Sequence, residues 1–247
     1  MVSQLEGLLP NARTDGSLAT LKNGKPYYTY LFQSSVGTLR SVPDSQSLIQ
    51  KALKQSQQVL KNMARKHPNT FSKAALLSAT TNTPQEILAH LEKAIDKDFP
   101  SIDKVKYEVK FVPKSLEDHL SPAFYLTPPI DDSSRNTIYV NGGTKYKGTN
   151  LFPTLAHEGY PGHLFQAAFL HRNLSSPLQA TLNFGGYCEG WATYAEIYSY
   201  QYAKLEPDVV SIMQNQTILS LCLYALCDIG IHYEGWDLTA TGDFLEK

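Results

Sequence analysis

Read for the spacing of its apolar residues, the chain falls into three stretches: helical, then alternating, then helical again. The first 26 residues precede any regular pattern. Asn, Gly, Pro and Ser are scattered through "LPNARTDGSLATLKNGKP", the composition of a loop. The aromatic run "YYTYLFQSSVG" that follows suits a helix or a strand. In "SVPDSQSLIQKALKQSQQVLKNMARKHP" the apolar residues Leu48, Ala52, Val59 and Met63 recur at helical spacing. Ser41 or Asp44 can cap this helix, and basic residues crowd its end before Pro68. "TPQEILAHLEKAIDKDFP" predicts a second helix, with Thr83 as N-cap, Pro84 in first position and Glu86 completing a capping box; His90 is expected on its surface.

The period then shortens to two. "KVKYEVKFVP" alternates polar and apolar residues as a half-buried strand does, and "AFYLTPP" and "NTIYVNGG" predict two more strands joined by the polar turn "IDDSSRN". Helical spacing returns at about residue 150 and predicts helices over 150–171, 177–204 and 207–233, the last apolar enough for a core helix. The expected fold is therefore mainly α, of α+β class, with a small antiparallel sheet. A loop-rich segment at 1–26 precedes one domain over 27–247.

Composition narrows the function only in part. Apolar content of 42% and charged content of 18% are ordinary for a globular chain. A net charge of −1 gives no basic excess for nucleic acid or an anionic membrane surface. No apolar run is read as long enough to span a bilayer. The opening "MVSQLEGLLPNARTDG" lacks the pattern of a signal peptide, which leaves the compartment open. Cys188, Cys222 and Cys227 fit neither a disulfide framework nor a zinc knuckle and are expected as buried thiols.

The chemistry concentrates in "FPTLAHEGYPGHLFQ", residues 152–166. His157 is followed at once by Glu158, as in zinc-peptidase helices, but the next histidine, His163, is six residues on rather than four. In a straight helix six residues turn through about 600°, nearly the opposite face, so both histidines cannot meet one ion. Pro161 and Gly162 supply a break, and a looped-out turn over 160–162 would return His163 to the His157 face. On spacing alone, a metal pair and an unrelated cap and loop histidine stand level. Downstream, "YCEGWATYAEIY" presents Glu189 and Glu196 seven residues apart on one helical face among apolar neighbours. Buried carboxylates need a partner. Glu189 is preferred as the third zinc ligand and Glu196 as the acceptor that fixes a histidine tautomer, with the reverse assignment open. Glu158, beside the first ligand, then suits a general base acting on a metal-activated water. His232 in "CDIGIH" is a candidate oxyanion donor, as are Tyr125, Tyr139, Tyr160 and Tyr194. "NTIYVNGG", with its accessible Asn141, Gly142 and Gly143, is the candidate edge for an extended substrate.

In order along the chain, "HEGYPGH", "CEGWATYAE" and "CDIGIHYEGW" resemble blocks of the large bacterial family called domain of unknown function 885. "NGKPYYTYLFQSSVGT" and "FYLTPPIDDSSRNTIYVN" resemble its upstream blocks. The resemblance runs from about residue 22 to the end. It implies a zincin-like, mostly helical, zinc-dependent peptidase, with His157, His163 and Glu189 on ligand positions and Glu158 on that of the base. His232 falls on the histidine of the family's "DxGxH" block. Members are commonly about twice this length, which implies a partial chain, truncated at both ends. Leu164 stands where many relatives carry another histidine, removing one alternative ligand. The expected function is zinc-dependent hydrolysis of a peptide bond, by exo- or endopeptidase action. A non-catalytic peptide-binding domain and a zinc hydrolase of non-peptide amides are the alternatives.

Overall fold

The computed structural model describes residues 16–70, 83–129, 131–146, 151–174, 176, 178, 182 and 184–246. Most of the expected N-terminal loop thus lies outside the described residues. Among its described residues a 3-10 turn spans Leu18–Thr20. The aromatic run is a helix, α1 (Gly24–Val36), ended by Gly37 at φ 74°, a left-handed conformation that suits glycine. Helix α2 spans Val42–Lys66, and Ser41 rather than Asp44 caps it, its hydroxyl accepting the Asp44 N–H at 3.1 Å. Its buried face is Val42, Ser45, Leu53, Ser56 and Leu60, whereas Leu48 is 50% exposed. Two apolar stripes run along α2 about one residue apart. Packing against the last long helix selects the one through Leu53 and Leu60. Helix α3 (Pro84–Ala94) carries the expected reciprocal capping box between Thr83 and Glu86. His90 on it is part-buried, with Nε2 2.8 Å from the Tyr202 carbonyl, not on the open surface.

The three strands are β1 (Tyr107–Phe111), β2 (Ala123–Leu126) and β3 (Asn136–Val140). Their order is β1-β3-β2, with β1 parallel and β2 antiparallel to β3. The sheet is mixed, not purely antiparallel. β3 is central, so it is not the substrate edge that "NTIYVNGG" suggested. Nor is the turn after it free: the Asn141 amide donates to the carbonyls of Glu117 and Leu120, and its oxygen accepts the Gly143 N–H. Asn136, Ile138 and Val140 alternate as the buried positions of β3.

The expected helical stretch 150–171 is two helices, α4 (Leu151–Glu158) and α5 (His163–Asn173), with the break at the expected Pro161 and Gly162. Helix α6 (Gly185–Ser199) starts later than expected, and most of 175–183 lies outside the described residues. Helix α7 (Pro207–Ile229) continues into a π-helical turn, Gly230–Glu234, and α8 spans Leu238–Leu245. The 28-residue run Pro207–Glu234 is long and apolar enough to cross a membrane by length and composition, contrary to the sequence reading. In this fold it packs along α2, where Leu53 meets Cys222 and Leu226, and Leu60 meets Val209 and Ile212. The main core lies elsewhere. Ile87, Leu88 and Leu91 of α3, Ile138 and Val140 of β3, and Phe152 and Leu155 of α4 bury one another, and Leu164 and Phe165 of α5 close it. α4 is thus held between α3, the sheet and α6, and its C-terminal end carries His157 and Glu158.

Candidate metal centre

The break between α4 and α5 answers the six-residue spacing. The Gly162 N–H bonds the Ala156 carbonyl at 3.0 Å, and the Phe165 N–H bonds the Gly159 carbonyl at 3.2 Å. Each reaches back six residues where an α-helix reaches back four. Two residues are therefore looped out, and His163 stands where a residue four after His157 would stand. Gly162 is required by close approach: a Cβ there would lie 1.7 Å from the His157 carbonyl oxygen. Pro161 brings no N–H that the loop would have to satisfy. The Tyr160–Pro161 peptide is cis. From α6, the Trp191 indole N–H donates to the Pro161 carbonyl at 2.8 Å, and its ring stacks on Phe165.

The imidazoles of His157 and His163 meet edge to face, with ring centres 4.8 Å apart. Glu189 Oε2 lies 3.4 Å from His157 Nε2 and 3.5 Å from His163 Nε2. One ligand atom from each of the three residues lies within 4.8 Å of the other two. Zinc bonds of about 2.0–2.2 Å in tetrahedral array put ligand atoms roughly 3.3–3.6 Å apart; the two Glu189–histidine distances match that spacing, and two imidazoles with a carboxylate are a donor set that zinc takes. On the far side of the ring, His157 Nδ1 lies 3.1 Å from Glu196 Oε2. That contact orients the His157 ring so that Nε2 lies on the side of Glu189 and His163. Glu189 thus lies toward both histidine Nε2 atoms, and Glu196 lies against Nδ1 of His157 alone.

The electrostatics are those of a carboxylate-rich pocket. Burial pushes His157 down, but the Glu196 hydrogen bond and the charges of Glu158, Glu196 and Glu189 outweigh it and hold the imidazole above its ordinary range. His163 is pushed down by burial and by His157. Glu158 is raised by burial, partly offset by the Tyr125 N–H, which its Oε2 accepts at 2.8 Å. Tyr125 lies on β2, an edge strand, with its N–H turned away from β3. The edge beside the site is therefore β2.

His157, Glu158, His163 and Glu189 line one cleft of about 600 Å³ with Phe124, Tyr125, Thr127, Pro128, Gln166, Ala167, Leu170, His171, Leu174, Leu182 and Cys188. Gln166, Leu170 and His171 escaped the sequence reading. They follow His163 at three, seven and eight residues, so the helical period from His163 could have found them. Cys188 and Cys227 are only partly buried; of the cysteines, Cys222 alone matches expectation. Among the expected oxyanion donors, Tyr139, Tyr160 and Tyr194 are not among the lining residues, and the Tyr125 hydroxyl donates to Asn136 Oδ1.

His232 is also absent from that lining. Its Nδ1 accepts the Leu18 N–H at 3.3 Å, and its ring stacks near Tyr28, whose hydroxyl donates to Asp228 Oδ2 at 2.5 Å. Ser17 Oγ donates to the Ile231 carbonyl. The structure thus brings the "CDIGIH" block to the 3-10 turn and α1.

Residues 2–247 match the family described as "Bacterial protein of unknown function (DUF885)". The chain belongs to this family. No curated protein matches it significantly. A crystal structure from Colwellia psychrerythraea, titled a "putative lipoprotein", superposes with a TM-score of 0.81 at 18% identity, over 98% of this chain and 45% of that one. A second, titled a "putative lipoprotein of unknown function" from Shewanella oneidensis, gives a TM-score of 0.62 at 18% identity, over 96% of this chain and 48% of that one. This DUF885 chain therefore shares their fold and spans less than half the length of either.

Proposed function

We propose that this DUF885 chain carries the centre of a zinc-dependent hydrolase that cleaves peptide bonds. The observation that carries the reading is the convergence of His157, His163 and Glu189 beside a part-buried Glu158 in one cleft. His157 Nε2, His163 Nε2 and Glu189 Oε2 would hold the ion. When bound, zinc would polarise the scissile carbonyl and make a water more acidic. Glu158 takes the proton of the attacking water and returns it to the departing amine. Its Oε2 is anchored by the Tyr125 N–H, which orients the carboxylate for that transfer. Glu196 keeps the His157 ring from rotating. The outer edge of β2 offers main-chain groups to an extended substrate, which favours a peptide over a compact amide. The test is Glu158→Gln, with zinc content and peptide cleavage read on one preparation of the full-length protein. Zinc should be retained and cleavage should fall by about a hundredfold to ten-thousandfold. Undiminished cleavage would remove Glu158 from the chemistry. A zinc-loaded wild type that binds peptides but cleaves none in a diverse library would make this a binding domain.

A further inference from the structure

We propose that the cleft selects a peptide carrying a bulky apolar side chain beside the bond to be cut, and that Leu170 sets this preference. The inference rests on the hydrolase reading for the position of that bond. The selectivity itself comes from the wall of the cleft.

Helix α5 presents one face to the cleft. Ala167, Leu170 and Leu174 follow His163 at helical spacing, and all line the cleft. Phe124 and Pro128 line it from β2 and the segment after it, and Leu182 adds a further apolar side chain. An apolar wall therefore begins one helical turn from a metal-ligand position. Among the described lining residues the carboxylates are Glu158 and Glu189, and there is no Lys or Arg. An acidic substrate side chain on the α5 wall would give up hydration next to two carboxylates, with no Lys or Arg to meet it and only His171 as a basic side chain beyond the candidate ligands. The Gln166 amide, the obvious uncharged donor on this wall, is committed to the Tyr187 carbonyl at 3.2 Å. Thr127 and His171 are the polar side chains left on the lining for a polar substrate residue, while a leucine or phenylalanine gains apolar contact along Ala167, Leu170 and Leu174. Leu170 lies at the middle of the α5 stripe and is only partly buried, so its replacement changes the cleft more than the core.

The experiment uses end-blocked peptides identical except for one residue, Leu, Phe, Ala, Asp or Lys, titrated into zinc-loaded Glu158→Gln. Cleavage by the wild type is measured in parallel. The Leu and Phe peptides should bind at least about tenfold tighter than the Ala and Asp peptides. Leu170→Ala should erase most of that margin. Leu170→Arg should turn the preference toward Asp, with zinc content and helical signal unchanged. Equal binding across the set, tightest binding of the Asp or Lys peptide, or no binding at all would overturn the selectivity. Cleavage without apolar preference overturns the selectivity and leaves the hydrolase standing. Apolar-selective binding without cleavage by the wild type does the reverse.

Discussion

Two histidine-bearing blocks look alike in the sequence and are built differently. Around His157 and His163, two imidazoles and three carboxylates converge, and the three candidate ligand atoms point at one another with no cation from the protein between them. Around His232, every polar group named above has a protein partner: Leu18 N–H with His232, Tyr28 with Asp228, Ser17 with the Ile231 carbonyl. In the first arrangement the histidine and glutamate atoms face one another, the cluster on which the proposed metal centre rests. The second ties the chain's described start to the end of α7. The same residue type therefore stands in a cluster of candidate ligands in one place and in a clasp of main-chain and aromatic contacts in the other.

Substitutions can break or sharpen that contrast. The largest expected effect is Glu158→Gln, with cleavage down by about two to four orders of magnitude and zinc retained. Next is Trp191→Phe. It keeps an aromatic ring against Phe165 but removes the hydrogen bond to Pro161 that ties the loop to the Glu189 helix. Zinc affinity, measured by competition with a chelator, should fall roughly ten- to a hundredfold, the range seen when a partner that orients a ligand is lost. The melting temperature of the metal-free protein should change little. An unchanged affinity would mean that Gly162 and the six-residue hydrogen bonds hold the loop unaided.

On the clasp side, Tyr28→Phe leaves Asp228 without its hydroxyl. Burial and Asp228 already push the Tyr28 hydroxyl far above its usual pKa. Unfolding should become easier by about 1–3 kcal/mol, read by denaturant titration, with zinc content untouched. His232→Ala belongs in the same experiment. Loss of cleavage with stability and zinc intact would restore His232 to the chemistry, as its sequence position suggests. The smallest effect is Thr83→Ala, distant in role from both blocks, which should cost about 1 kcal/mol through loss of the α3 cap. Glu86 in that box is held below its ordinary pKa by the Thr83 N–H and hydroxyl. Its contribution is present above the ordinary glutamate range and is lost as pH falls through that range toward the depressed value. The Thr83→Ala penalty should therefore shrink in acid.

The legible parts of the site were those set by local geometry. A six-residue spacing of two histidines, with Pro161 and Gly162 among the five residues between them, allows a looped helix, and a seven-residue spacing places Glu189 and Glu196 on one face. Family membership could be read in the blocks around those residues. The sheet order was not legible, because strand alternation is the same for parallel and antiparallel neighbours. Nor was the buried face of α2, where Leu48 and Leu53 belong to competing stripes and only contact with α7 decides. Leu170 and His171 lie on a stripe that reads equally as core; the space in front of α5 makes it a wall. His232 is the converse case, a conspicuous motif residue whose described partners are main-chain and aromatic groups.

The most direct test is zinc stoichiometry by elemental analysis of protein purified without chelator, wild type beside His163→Ala. The looped helix predicts one zinc per chain in the wild type and near-complete loss in His163→Ala, with helical content preserved. Full occupancy in His163→Ala, or a wild type that takes up no zinc when it is supplied, would contradict the account.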